Sequence, residues 1–423
     1  MHIAYIHQHF STTHGTTGTR SYEMSLRLIE AGHRVTMICG DYASGDATRA
    51  STTGSLGGVK VCDMDGIRIV HVHVPYSDQM GFARRVLAFL HFAREAGHLA
   101  SKLDADLVLA SSTPLTVGLA GLRAKDRLKI PFVFEVRDLW PAVPIAMGAL
   151  RNPLLRWYAR RMEARIYNGA DRIIALSPGM RDGVCDLGYS RRRISLIPNA
   201  CDLDLFTPSD EPLEDPRFGS PDACRFLFAG AHGLVGGLNA ILDAVGELKR
   251  RNERRIRIVF VGQGRERARL MTRSRCEGLD PWITWVGPMS KIELARVMPR
   301  MNVGLMTVRP IPALFAASPN KFFDYIASGL PVVMNYPGWL ADLVRDHDCG
   351  IAVPADDPSA LADAMVFLRD DADQRARMGR RARELAETEF SRDELAHRFV
   401  GVLEATHEEH AGAKRSAIAV PQS

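Results

Sequence analysis

Lys321 is the residue of this chain whose type and position ask most plainly for a ligand. It lies in Ser318-Pro319-Asn320-Lys321-Phe322-Phe323-Asp324, where a proline opens a helix and the lysine falls in its first turn. The positive end of a helix dipole disfavours a cation there unless an anion is present. Only eight of the 54 basic residues are lysines, so a lysine at this place suggests a point charge aimed at phosphate. Asp324 follows one turn later on the same face, where a carboxylate can accept both hydroxyls of a ribose. The bland alternative is a solvated ion pair at i,i+3.

Two glycine loops offer backbone N–H groups to the same kind of ligand. Phe228-Ala229-Gly230-Ala231-His232-Gly233 lies between a strand and a helix, and Gly262-Gln263-Gly264 follows the next strand. Gly230, His232, Gly233, Gln263, Asn320, Lys321 and Asp324 therefore form one candidate set, to which Gly18 is added from a third loop. That loop, His14-Gly15-Thr16-Thr17-Gly18-Thr19-Arg20, feeds a helix N-terminus that suits an anion or a polar substrate. Its spacing is neither the dinucleotide fingerprint nor a P-loop. Glu135-Val136-Arg137-Asp138-Leu139-Trp140-Pro141 closes another strand. Three charges at the end of a buried parallel strand make Glu135, Arg137 and Asp138 candidate catalytic residues. Gly15, Arg20 and Trp140 are candidates for holding an acceptor. The histidines His7, His9 and His14 have no carboxylate or cysteine spaced to complete a metal shell, and no obligatory metal is expected.

These residues need strands and helices in strict alternation to position them. In the first half strands are expected at 2–6, 34–39, 67–74, 107–110, 132–136, 172–176 and 194–197. Helices are expected at 19–31, 82–101, 115–126, 153–168 and 178–185. Residues 41–59, rich in Gly, Ser and Thr, read as a long loop. Proline and acid density after Asn199 marks a linker. The alternation then restarts, with strands at 225–229, 257–261, 283–286, 303–308, 331–335 and 350–353. The expected fold class is α/β: two doubly wound Rossmann-like domains, 1–200 and 205–390, facing across a cleft. A last helix, about 391–410, packs back on the first domain, with a frayed tail after Ala411. Carboxyl ends of two such sheets bind two substrates, here a donor on the second domain and an acceptor on the first.

Composition narrows the classes. Of 423 residues, 46% are apolar and 24% charged, which excludes wholesale disorder. A net charge of +5 is too mild to argue for nucleic acid. Seven cysteines without a C-x-x-C pair fit a reducing cytoplasm. No apolar run approaches the roughly 20 residues of a membrane span, and the N-terminus reads as the first strand of a cytoplasmic protein. The stretches 82–92 and 151–165 combine arginine with aromatic residues, so peripheral contact with the inner face of the plasma membrane is expected through them.

Together these segments resemble the family 4 retaining glycosyltransferases of the GT-B fold, over about residues 1–400. The nearest subgroup in pattern is the WbuB-like bacterial one that builds surface polysaccharides. The carriers are Gly18-Thr19-Arg20-Ser21-Tyr22-Glu23, Val136-Arg137-Asp138-Leu139-Trp140-Pro141, Ile197-Pro198-Asn199, Phe228-Ala229-Gly230 and Pro319-Asn320-Lys321, in this order. The resemblance implies transfer of a sugar, with retention, from a UDP- or GDP-sugar to a hydroxyl acceptor, free or lipid-linked. Asp324 takes the place of the second, ribose-binding Glu of the family's E-x7-E motif. Ala316 stands where the first Glu belongs, and Ala231 and Gly236 stand where many members carry Arg and Lys. The diphosphate then falls to Lys321 and loop N–H groups. The competing expectations are a nucleotide-sugar 2-epimerase of the same fold and a non-catalytic, membrane-associated scaffold.

Overall fold

The structure is a computed structural model describing residues 1–40, 52–56, 59–76, 80–209, 211–220 and 222–418. Two compact units result, Met1–Pro198 with the chain from Asp393 onward, and Asn199–Arg392. Both are α/β with Rossmann-like sheets.

The first unit runs β1 (His2–Ile6), α1 (Arg20–Glu30), β2 (Arg34–Gly40), β3 (Thr52–Leu56), β4 (Val59–Met64), β5 (Ile67–Val72) and α2 (Phe82–Ala100). It continues with β6 (Leu107–Ser111), α3 (Val117–Leu128), β7 (Phe132–Val136), α4 (Ala142–Ala146), α5 (Pro153–Gly169), β8 (Arg172–Ala175), α6 (Pro178–Cys185) and β9 (Ile194–Leu196). Its sheet has the order β3-β4-β5-β2-β1-β6-β7-β8-β9. Every strand of β1, β6 and β7 is buried throughout, as a parallel sheet covered on both faces demands.

The second unit runs β10 (Cys224–Ala229), α7 (Asn239–Arg250), β11 (Ile256–Val261), α8 (Arg267–Cys276), β12 (Ile283–Val286), α9 (Lys291–Val297) and β13 (Val303–Met306). Then come α10 (Asn320–Ala327), β14 (Val332–Met334), α11 (Trp339–Asp346), β15 (Gly350–Ala352), α12 (Pro358–Asp370) and α13 (Ala372–Glu389). Its six parallel strands take the order β12-β11-β10-β13-β14-β15. The last helix, α14 (Arg392–Ile418), belongs to the first unit from Asp393 on.

Three expectations change. Part of the 41–59 stretch is a strand: β3 pairs antiparallel with β4, and β4 with β5, at the sheet edge. Ser55, exposed on β3, suits an edge strand that is solvated on one side. Residues 41–51 and 57–58 lie outside the described residues. The segment read as a linker instead packs into the second unit. Phe206 is fully buried, and Cys201 N donates to Phe390 O at 2.7 Å. Finally, α14 does not fray at 411 but runs to Ile418, where Lys414 Nζ donates to Lys129 O at 2.5 Å. Lys129 is the left-handed cap of α3, so this lysine satisfies a carbonyl left open by that helix end.

In each sheet the chain reverses direction of build at one point: between β1 and β6 in the first unit, and between β10 and β13 in the second. Crevices at the carboxyl ends of such pairs are where ligands of doubly wound sheets sit.

The docking of α10 beside β10 depends on Gly304 of β13. A methyl at that position would lie 2.4 Å from the Tyr325 ring. Gly304→Ala is expected to lower stability by about 1–3 kcal/mol through overpacking. Thermal unfolding checks this, and Tyr325→Leu in the same chain should recover part of the loss.

Candidate active site

Two buried tyrosine contacts hold Lys321 in place. Tyr325, one turn downstream on the same face of α10, is fully buried. Its hydroxyl donates to Leu227 O at 2.9 Å and accepts from Ala229 N at 2.9 Å, clamping the helix to the end of β10. Asn199 secures the approach to α10, its side-chain amide donating to Ser318 O. With the helix so fixed, the Lys321 ammonium stands 3.5 Å from the centre of the Phe228 ring. A Cβ on Gly230 would lie 3.2 Å from it. No carboxylate neutralises this cation among the described residues. Burial pulls its pKa from 10.5 down to about 7. The result is a cation at the β10–β13 switch point, backed by an aromatic ring and open toward a glycine.

The glycine loops are built for close approach. Gly230 N donates to Val261 O, and His232 N to Gln263 O, so β-pairing continues past the strand ends into both loops. Gly262, at φ +137, lies where a Cβ would meet Gly230 O at 2.1 Å, so no other residue fits. Gly230, Gly233 and the side chain of Gln263 border solvent, and Gly230 does so beside Lys321. His232 differs from expectation: it is fully buried, with rings of Phe228, Phe260 and Trp285 within 6.2 Å. Burial, with Arg267 and Lys321 nearby, lowers its pKa to about 4. It therefore forms the neutral floor of the loop. Asn320 occupies the first position of α10, and Asp324 is half-buried near Cys201.

In the first unit a polar chain crosses the β1–β6 switch point. Arg20 Nε and Glu135 Oε1 pair at 2.8 Å, with both side chains buried. The remaining arms of Arg20 donate to Pro198 O at 2.6 Å and Ile197 O at 3.0 Å, and Phe399 of α14 packs 5.9 Å from the guanidinium. Ser111 donates to the second Glu135 oxygen at 2.5 Å. Burial alone would raise the Glu135 pKa; Arg20, Arg137 and these hydrogen bonds outweigh it and hold the carboxylate below its ordinary range. Arg20 and Glu135 thus spend their polar atoms inside the unit. They position the site and do not reach an acceptor.

Arg137 and Asp138 do reach the surface. Arg137 is half-buried, its N–H donating to Ser112 Oγ at 2.9 Å and its Nη1 to His7 Nε2 at 3.2 Å. A guanidinium only donates, so His7 Nε2 must accept, and Nδ1–H then donates to Ser21 Oγ at 2.7 Å. Burial, then Arg137 and His9, keep the His7 pKa well below its usual value, so the ring stays neutral. Asp138 is exposed and accepts from Thr113 at 2.9 Å. Trp140 is half-buried against the core. Gly15 is buried in a turn closed onto Thr12 O at 3.0 Å, and Gly18 lies just before Thr19, the cap of α1.

Sequence reasoning passed over His7, Phe228, Tyr325 and Asn199 as functional parts. Their signal was their place at strand and helix ends; their partners are distant in sequence. Among the described residues no group of three or more metal-ligating side chains gathers.

Two outcomes follow. Glu135→Ala leaves Arg20 charged and unpaired inside the fold, and should cost about 3–5 kcal/mol in chemical denaturation. Asp138→Asn should leave stability within about 0.5 kcal/mol. Second, Lys321 loses its proton above about pH 7 in the free protein. A bound phosphate favours the protonated form, so binding takes up a proton and weakens as pH rises. Calorimetry should show UDP affinity falling by up to tenfold per pH unit between pH 7 and 8.5, with Lys321→Met flattening that slope.

Residues 15–200 match the glycosyl transferase 4-like domain model, and residues 223–371 match the model of glycosyl transferases group 1. A D-inositol 3-phosphate glycosyltransferase of Paenarthrobacter aurescens is 30% identical over 278 residues, 64% of this chain and 66% of that protein. A Nocardioides protein of the same description is 27% identical over 368 residues, 81% of this chain and 75% of its own. Among solved structures, sucrose-phosphate synthase from Thermosynechococcus elongatus superposes with TM-score 0.76 at 17% identity, covering 96% of this chain and 98% of that one. Anabaena HepE in complex with UDP gives 0.70 at 17% identity, covering 96% and 100%. With both domain models matched in order and both sheets as the fold requires, the chain belongs to the family 4 glycosyltransferases of the GT-B fold.

Proposed function

We propose that this protein transfers a sugar from a UDP- or GDP-sugar to a hydroxyl acceptor with retention, in the assembly of a bacterial surface polysaccharide or glycoconjugate of the WbuB-like type. The observation that carries the reading is the unneutralised Lys321 ammonium over Phe228, beside Gly230. A relative named for glycosyl transfer and a fold neighbour solved with UDP support the same choice of donor.

In this reading the second unit takes the donor. Its diphosphate meets Lys321 and the N–H groups of Gly233 and Asn320, with Gly230 leaving room for the close approach, and Asp324 takes the ribose hydroxyls. With Ala316, Ala231 and Gly236 where relatives carry charged groups, Lys321 bears a larger share of the diphosphate charge. The bond between the anomeric carbon and the diphosphate oxygen breaks, and its electron pair leaves with the nucleotide. The acceptor hydroxyl bonds to the anomeric carbon from the face being vacated and gives its proton to the departing diphosphate. The first unit orients that hydroxyl with Asp138 and places Arg137 near donor or acceptor anions; Gly15 and Trp140 border the acceptor, and Gly18 is assigned to the donor.

The test is a panel of UDP- and GDP-sugars with nucleoside diphosphate release as readout. One donor should be consumed, and Lys321→Ala should lower kcat/KM by about 10²–10³-fold, as for loss of one preorganised charge-stabilising group. Proton NMR of the anomeric signal should show retained configuration. Undiminished turnover in Lys321→Ala would remove the site assignment, and donor conversion without acceptor would point to an epimerase.

A further inference from the structure

We infer that helix α5 and the basic groove beside it form a docking face for an anionic lipid bilayer. Soluble helices bury their apolar residues, yet the first turns of α5 do the opposite. Leu154 is 77% exposed, Trp157 61%, Tyr158 58% and Leu155 51%. A loose segment does not account for this. Pro153 opens the helix, and the Asn152 side chain accepts from the N–H groups of Leu154 and Leu155, so these side chains project from a well-capped end. The opposite face is turned into the unit, with Ala159, Glu163, Ile166 and Tyr167 buried.

Charge follows the same stripe. Residues 154, 158, 161 and 165 recur at helical spacing, so Leu154 and Tyr158 line up with Arg161 and Arg165. Arg161 lies 5.7 Å from the Trp157 ring, holding its charge beside the apolar cluster. Arg165 also lines a groove of about 830 Å³ between α2, α3 and α5, together with Lys102, Arg123 and Arg127 and a single carboxylate, Asp126. None of these four cations has an ion-pair partner among the described residues. An apolar wedge next to unpaired cations fits a surface with anionic headgroups above hydrocarbon. Nucleic acid would use the cations and leave Leu154 and Leu155 unexplained.

The other stretch expected to touch a membrane contributes less. In α2, Phe89 and Phe92 are buried, with Phe89 stacked on Tyr76 at 5.5 Å, while Phe82, Leu87 and Leu90 are exposed, so only part of its apolar surface is open to a bilayer. No described helix is long and apolar enough to cross a membrane, so the contact proposed is peripheral. It does not rest on the transferase reading, although it would bring that site to an acceptor carried on lipid.

Flotation of the full chain with phosphatidylcholine vesicles, with and without phosphatidylglycerol, tests this. Binding is expected only to the anionic vesicles and should weaken with salt. Leu154→Glu/Trp157→Glu and, separately, Arg161→Gln/Arg165→Gln should each reduce binding about tenfold or more, with UDP affinity and melting temperature unchanged. Absence of binding by the unaltered chain, equal binding to neutral vesicles, or binding indifferent to both double variants would each overturn the proposal. So would a concentration-dependent dimer abolished by Trp157→Glu, since the face would then bury itself against a second copy.

Discussion

Everything at the candidate donor site depends on holding one amine that ionises near neutral pH where no carboxylate among the described residues supplies a counter-charge. Lys321 is held there by geometry: Tyr325 fastens α10 to β10, Gly304 leaves room for the Tyr325 ring, and Phe228 gives the cation a polarisable floor. Desolvation pulls its pKa down to about 7. An arriving phosphate removes that penalty, so affinity for the anion and protonation of the lysine become one event. A carboxylate partner would stabilise the empty site and compete with the ligand.

The first unit solves a different problem with the same means. Its switch point must present Arg137 and Asp138 from the end of a strand that is otherwise wholly buried. A run of internal partners makes this workable: Arg20 neutralises Glu135, carbonyls of Pro198 and Ile197 take up the other arms of Arg20, and His7 orients Arg137. Buried charges are tolerated when each finds its partner, and the exposed end of the chain is then rigid. The cost is that Arg20 and Glu135, conspicuous in sequence, are buried and turned toward partners inside the unit.

Substitutions relative to the family pattern make sense only alongside these contacts. Alanine and glycine at 231, 236 and 316 remove charge from around the donor loop. Glycines at 230 and 262 let two loops meet backbone to backbone, and the Gly230 N–H is spent on Val261 O in doing so. His232 beneath them is apolar in its surroundings and neutral, so it adds no charge to the loop.

Periodicity and punctuation alone determined the two alternating α/β halves, nearly all strand positions, and Lys321 as an oddity in an arginine-rich chain. These are local properties: burial on both faces writes continuous apolar strands, and helix starts and glycine turns leave fixed signatures. Only the tertiary structure decided which charges stay open and which face each other. Glu135 meets Arg20 across 115 positions, Tyr325 meets Leu227 across 98, and Leu154 and Trp157 prove to be exposed although their residue types suggest a core. Pairing at such separations is set by how helices dock on a sheet, and no spacing rule within one segment encodes it.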